Sequence, residues 1–157
     1  MKLTTKAQYA VMAMVDIAFR NCDTAVSLAS IAERQNLPLQ YLEQLFAKLK
    51  KAGLVTSVRG NNGGYILSKT PQEISVHDIV IASDQKIKAT RCKAGIPDSC
   101  QKDGSKCATH SLWKALEAVT RNFLSTITLQ DVCEKKVSPA SLNLTFVTHK
   151  IEKECIR

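Results

Sequence analysis

Apolar residues recur every three or four positions along most of this chain, and the breaks in that rhythm mark its elements. From residue 4 to about 20, Ala7, Val11, Met14, Val15 and Ala18 line one side of a predicted amphipathic helix. After a polar turn at 21–24, Ser27 is placed to cap a short second helix with Leu28, Ile31 and Ala32 on one face, ending near Asn36. Pro38 is a favourable first-turn residue for a third helix, whose buried stripe is Leu42, Leu45, Phe46 and Leu49 and whose stop is Gly53. Two short helices joined by a tight turn form a helix-turn-helix candidate. The runs 54–58 and 65–68 have strand character and enclose RGNNGG, which predicts a hairpin, or wing.

Beyond Pro71, Ser75 and Asp78 form a capping-box pattern that opens a helix through Ile79, Val80 and Ala82, and 86–91 reads as extended. Residues 92–110 are rich in Cys, Lys, Asp, Ser and Gly, with almost nothing to bury, so they form a loop unless a ligand organises them. From about 106 to 125, Leu112, Leu116, Val119 and Phe123 repeat at spacings of four, three and four, with Trp113, Ala115 and Leu124 widening the stripe. That helix is too apolar to stand alone. Thr128 and Asp131 mark another capped turn, and the last twenty or so residues have no clear plan and read as a mobile tail.

Composition narrows the function. With 45% hydrophobic and 23% charged residues the chain is of ordinary globular type, and 22 Lys plus Arg against 14 Asp plus Glu give a net charge of +8, which favours a polyanionic partner. The lysines before an apolar stretch at the start resemble a signal peptide, but Tyr9, Asp16 and Arg20 fit helical periodicity and no small-residue cleavage site follows. No apolar run approaches the ~18 residues of a membrane span. The expectation is a cytoplasmic protein without membrane association, whose six cysteines are reduced thiols or metal ligands. No acid–base or nucleophile set suggests a catalytic pocket, so an enzyme is not expected.

The second helix of a helix-turn-helix offers its exposed face to the major groove of double-stranded DNA. Gln40, Tyr41, Glu43, Gln44 and Lys48 fall largely off the buried stripe. Gln pairs with adenine and Glu accepts from the cytosine amino group, so both read base edges, whereas an unpaired Glu43 repels phosphate and tunes selectivity. In the wing, Arg59 and Gly60 stand before a tip that permits positive backbone angles, and an Arg held there suits a narrow minor groove. Lys48, Lys50, Lys51 and Lys69 are candidate phosphate contacts, joined by Lys2 and Lys6.

Four of the nine Cys and His residues lie between Cys92 and His110 in the order C-x7-C-x6-C-x2-H. Thiolates and neutral imidazole are ligands for zinc and for iron–sulfur iron, and Cys107 and His110, three apart at a helix start, can point to one centre. Structural zinc sites usually contain a tight Cys-x2-to-4-Cys pair, and the wide spacing here suits a larger object. Spacing alone leaves iron–sulfur, zinc and metal-free thiols open. Cys22, Cys133, Cys155, His77 and His149 lack such company and read as structural or incidental.

MKLTTKAQYAVMAM at the start, LPLQYLEQLFAKLKKAGLVTSVRGNNGGYIL in the middle, and ATRC followed by CATHSLW together resemble the iron–sulfur cluster regulators of the Rrf-type winged-helix family over about residues 1–132. The resemblance implies a homodimer on near-palindromic DNA, with the long carboxy-proximal helix crossing its twin through Leu112, Leu116, Val119 and Phe123. It also implies a 2Fe-2S cluster held by Cys92, Cys100, Cys107 and His110 and received from the iron–sulfur assembly machinery. Ample supply would then repress cluster-assembly genes. One departure is a longer cysteine loop, with Ile96, Pro97 and Asp98 following Gly95.

The expected fold is mostly α with a small β-hairpin wing, a winged helix-turn-helix plus a long dimerisation helix. The expected division is 1–85 for DNA binding, 86–111 for the cluster loop, 106–132 for the dimerisation helix and following turn, and 133–157 for the tail. Rival readings are a nitric oxide or thiol-redox responsive regulator of the same fold, and an iron–sulfur carrier or electron-transfer protein.

Overall fold

The computed structural model describes residues 4–20, 24–60, 62–84, 87–89, 100 and 105–138. Helix α1 (Thr5–Phe19) is capped by Thr4, whose side chain accepts from the Ala7 N–H, and it buries Ala7, Ala10, Ala13, Met14, Asp16 and Ile17. Helix α2 (Leu28–Gln35) begins at Ser27, whose hydroxyl accepts from the Ser30 N–H at 3.1 Å, and ends on a left-handed Asn36. Helix α3 (Leu39–Lys51) buries Leu42, Leu45, Phe46 and Leu49, the stripe its spacing predicts. Pro38 sits one position before the helix rather than in its first turn. Its extended ψ of 126° leaves its carbonyl to accept from the Tyr41 and Leu42 N–H groups. Gly53, at φ +72°, ends the helix in a conformation that costs glycine nothing.

Strands β1 (Val55–Val58) and β2 (Gly64–Leu67) form an antiparallel hairpin with Val55 opposite Leu67 and Val58 opposite Gly64. A contact not expected from the sequence extends it: Val26 pairs with Tyr65, each N–H donating to the other's carbonyl at 2.9 Å. Gly64 makes this possible, since a Cβ there would lie 2.4 Å from the Val26 carbonyl oxygen. The wing is thereby joined to the segment entering α2.

Helix α4 (Val76–Ala82) opens on the Ser75–Asp78 capping box, and α6 (Leu129–Cys133) on the Thr128–Asp131 one. The two caps lie side by side. The Val76 N–H donates to the Ile127 carbonyl and the Leu129 N–H to the Ile74 carbonyl, both at 2.8 Å. This clasp fixes the end of the 17-residue helix α5 (His110–Thr126) against the start of α4. Helix α5 begins later than the expected 106, because 106–109 offers no apolar side chain that faces the core.

The main core gathers Met14, Ile17, Ile31, Leu42, Phe46, Leu49, Val55, Ile74, Ile79 and Leu129. A smaller cluster of Ala7, Val76, Val80, Ile87 and Leu124 seats the end of α5 on α1 and α4. Both exclude water from side chains that alternate with the polar faces of the same helices. The expected extended stretch at 86–91 is described only at 87–89, where Ile87 is buried, and the expected tail lies outside the described residues beyond 138.

Candidate nucleic-acid interface and metal centre

Opposite its buried stripe, α3 presents Gln40, Glu43, Gln44 and Lys51 to solvent. Tyr41 differs from the expectation. It is half-buried, its ring edge-on to Tyr9 with centroids 5.7 Å apart, so it fastens α3 to α1 as much as it faces outward. Burial pushes the Tyr41 hydroxyl above its ordinary range, with Tyr9 adding to the effect against the opposing charge of Lys48. Two of the lysines are also engaged: Lys50 Nζ donates to Ser57 Oγ at 2.7 Å, and Lys48 pairs with Asp84 just past α4.

Arg59 and Gly60 are exposed, with Gly60 at φ +119°, and the Gly63 N–H closes the turn on the Gly60 carbonyl at 2.9 Å. The hairpin is held to α3 by Tyr65, whose ring packs on Phe46 with centroids 4.8 Å apart. The wing and α3 therefore share one packed base.

Of the four expected metal ligands, three lie among the described residues; Cys92 lies outside them. Cys100 Sγ is 3.0 Å from His110 Nδ1, and His110 is buried as the first residue of α5. Cys107 is in the turn that starts α5: its carbonyl accepts from the His110 N–H at 2.9 Å, and its Sγ lies 3.6 Å from Thr109 Oγ1. Among the described residues, no three His, Cys, Asp or Glu side chains converge as a metal site. The pair that does meet, a thiol and an imidazole on a polar segment beside a helix start, consists of the donor types that iron–sulfur iron and zinc take. Those donor types match the group implied by the resemblance.

The expected dimer face is exposed in the protomer. Leu112 is 61% exposed, Val119 55% and Leu116 40%, while Phe123 is half-buried against the smaller core cluster. The sequence reading missed Asp84 and Tyr9. No local pattern points to either, because each acquires its partner through the tertiary fold.

A three-helix core, a recognition-type helix and a wing packed as one unit define a winged helix-turn-helix transcription regulator. The chain belongs to the Rrf2 family, described as iron-dependent transcriptional regulators, whose family model matches residues 3–135. It is 47% identical over 136 residues to the HTH-type transcriptional regulator IscR of Pectobacterium atrosepticum, covering 87% of this chain and 81% of that protein. Among solved structures it is similar to T. potens IscR, with a TM-score of 0.70 at 39% identity, covering 87% of this chain and 89% of that one. It is also similar to CymR, the global cysteine regulator of B. subtilis, with a TM-score of 0.72 at 31% identity over 86% of this chain and 98% of that one. Among the described residues, no helix is long and apolar enough to cross a membrane.

Proposed function

We propose that this chain is a homodimeric repressor of iron–sulfur cluster assembly genes that reads cluster supply and binds near-palindromic DNA. The observation carrying this reading is the 3.0 Å approach of Cys100 Sγ to buried His110 Nδ1 at the start of α5. The 47% identity to IscR supports it. Cys92, Cys100, Cys107 and His110 would hold a 2Fe-2S cluster received from the assembly machinery. When bound, that group supplies a four-ligand cross-link and a centre that can gain or lose an electron.

The chain's own residues carry the rest. His110 is the first residue of α5, so whatever restrains its imidazole restrains the helix start. At the other end, the Val76–Ile127 and Leu129–Ile74 hydrogen bonds clasp α5 to α4 and α6. Helix α5 is therefore a lever between the cysteine segment and the DNA-reading unit. In a homodimer joined through Leu112, Leu116, Val119 and Phe123, its tilt sets the separation of the two α3 helices. Each α3 helix would enter the major groove with Gln40, Tyr41, Glu43 and Gln44 toward base edges and Lys48 and Lys51 toward phosphates. Arg59 and Gly60 would enter the minor groove.

Protein purified without oxygen and assayed for iron, acid-labile sulfide and visible absorbance tests the assignment. The reading expects iron and sulfide in equal amounts and loss of the chromophore in His110→Ala. Colourless protein carrying zinc, or no metal, would contradict it.

A further inference from the structure

We propose that Asp84 competes with DNA for Lys48, and so weakens the sequence-independent grip of α3 on the phosphate backbone. The proposal rests on the reading that α3 lies in the major groove with Lys48 at its edge.

The placement of Asp84 is built by the fold. It follows the last turn of α4, with φ +65°, and its N–H donates to the Ile81 carbonyl at 3.0 Å. Before it, Ser83 is buried and its hydroxyl donates to the Val80 carbonyl at 2.7 Å; beyond it, Ile87 returns to the core. The carboxylate is thus set out on a fixed corner, where it accepts a hydrogen bond from Lys48 Nζ. Beside it lies an open cavity of about 450 Å³ lined by Thr4, Thr5, Lys6, Tyr41, Ser83 and Asp84. The hydrogen bond and charge of Lys48, with smaller contributions from Lys6 and Lys51, hold the Asp84 carboxyl below its usual range against the opposing effect of burial. Three lysines from α1 and α3 therefore act on one acidic group.

An exposed ion pair is weak and screened by salt, so phosphates can displace Asp84 from Lys48. Displacement has two consequences. The bare carboxylate is left near phosphates, and Lys48, already neutralised by Asp84, contributes less to the release of counterions that drives DNA binding. Neither effect depends on base sequence. Asp84 accordingly lowers affinity for operator and mixed-sequence DNA alike, leaving discrimination to Gln44, Glu43 and Arg59.

The test is the salt dependence of binding by the full chain, measured on an operator duplex and on a mixed-sequence duplex. Asn tolerates the left-handed conformation as Asp does, so Asp84→Asn retains the corner. The expected result is a log–log slope steeper by about 0.9 per freed lysine and binding about fivefold tighter near 0.1 M salt on both duplexes. The gain shrinks in a Lys48→Ala background, where only the repulsion between carboxylate and phosphates is left to relieve. If Asp84→Asn binds as the parent does, or if its gain is as large without Lys48 as with it, the proposal is overturned. Gln44→Ala and Lys51→Ala in the same series separate the two levels. If they weaken binding while Asp84→Asn changes nothing, only the competitor falls. If Gln44→Ala, Lys51→Ala and Lys48→Ala all match the parent, the placement of α3 falls and takes the competitor with it.

Discussion

Asp16 and Arg34 join α1 to α2 through two contacts, Nε to Oδ1 at 3.1 Å and Nη2 to Oδ2 at 2.5 Å. Gln35 adds a third donor to Asp16 at 3.1 Å. The carboxylate is buried while Arg34 is partly solvated, so the pair pins the helix-turn-helix to the first helix at little cost in unsatisfied charge.

Acid stability should depend on this pair. Burial pushes the Asp16 carboxyl up, but the Arg34 and Gln35 hydrogen bonds and the charges of Arg34 and Arg20 outweigh it and hold the carboxyl below its usual range. A carboxyl depressed by folding stabilises the fold above its unfolded pKa of about 3.9, and that contribution disappears as pH falls through the lower folded value. Asp16→Asn should cost about 2 kcal/mol at neutral pH in denaturant unfolding. The gap between variant and parent should close below about pH 4. A gap that stays constant from pH 7 to pH 3 would contradict the assignment.

The apolar face of α5 predicts a second effect. Leu116 is 40% exposed and is a member of neither core cluster, so Leu116→Lys should leave helix content unchanged. In a two-fold interface the substitution occurs twice, and the loss of about 1.5 kcal/mol or more per buried leucine raises the dimer dissociation constant by about a hundredfold or more. Sedimentation velocity at micromolar protein would show the shift to monomer. A variant as dimeric as the parent would remove this face from the interface.

DNA contacts divide by kind. Gln44→Ala should reduce discrimination against the wrong base by about 1–3 kcal/mol while leaving non-specific affinity nearly unchanged. Arg59→Ala should weaken operators in proportion to how A·T-rich the minor groove is under the wing. Lys51→Ala should lower the salt slope by about 0.9. Equal binding of variant and parent across a panel of operators would remove that residue from the contact surface.

Much of this architecture is legible where the signal is local. Ser27, Ser75 with Asp78, and Thr128 with Asp131 announce helix starts because a cap needs only residues three apart, and all three caps form. The α3 stripe is legible because four apolar residues repeat at helical spacing. What sequence does not disclose is pairing at a distance. The Val26–Tyr65 bridge joins residues outside any common repeat, and the Lys48–Asp84 pair spans two elements with no shared pattern. Tyr41 was legible as a residue off the buried stripe, yet its edge contact with Tyr9 draws it half inward. The donor types at 92–110 were legible. The approach of Cys100 to His110 was not, since it pairs residues ten apart that share no local repeat.

Operator affinity measured without oxygen at graded cluster loading tests the central claim most directly. For the parent, affinity at cluster-assembly promoters should rise with the fraction of chains carrying the cluster, and His110→Ala should remain at the cluster-free value throughout. Binding that is the same at every loading, in parent and variant alike, would contradict a sensor whose ligand segment governs its hold on DNA.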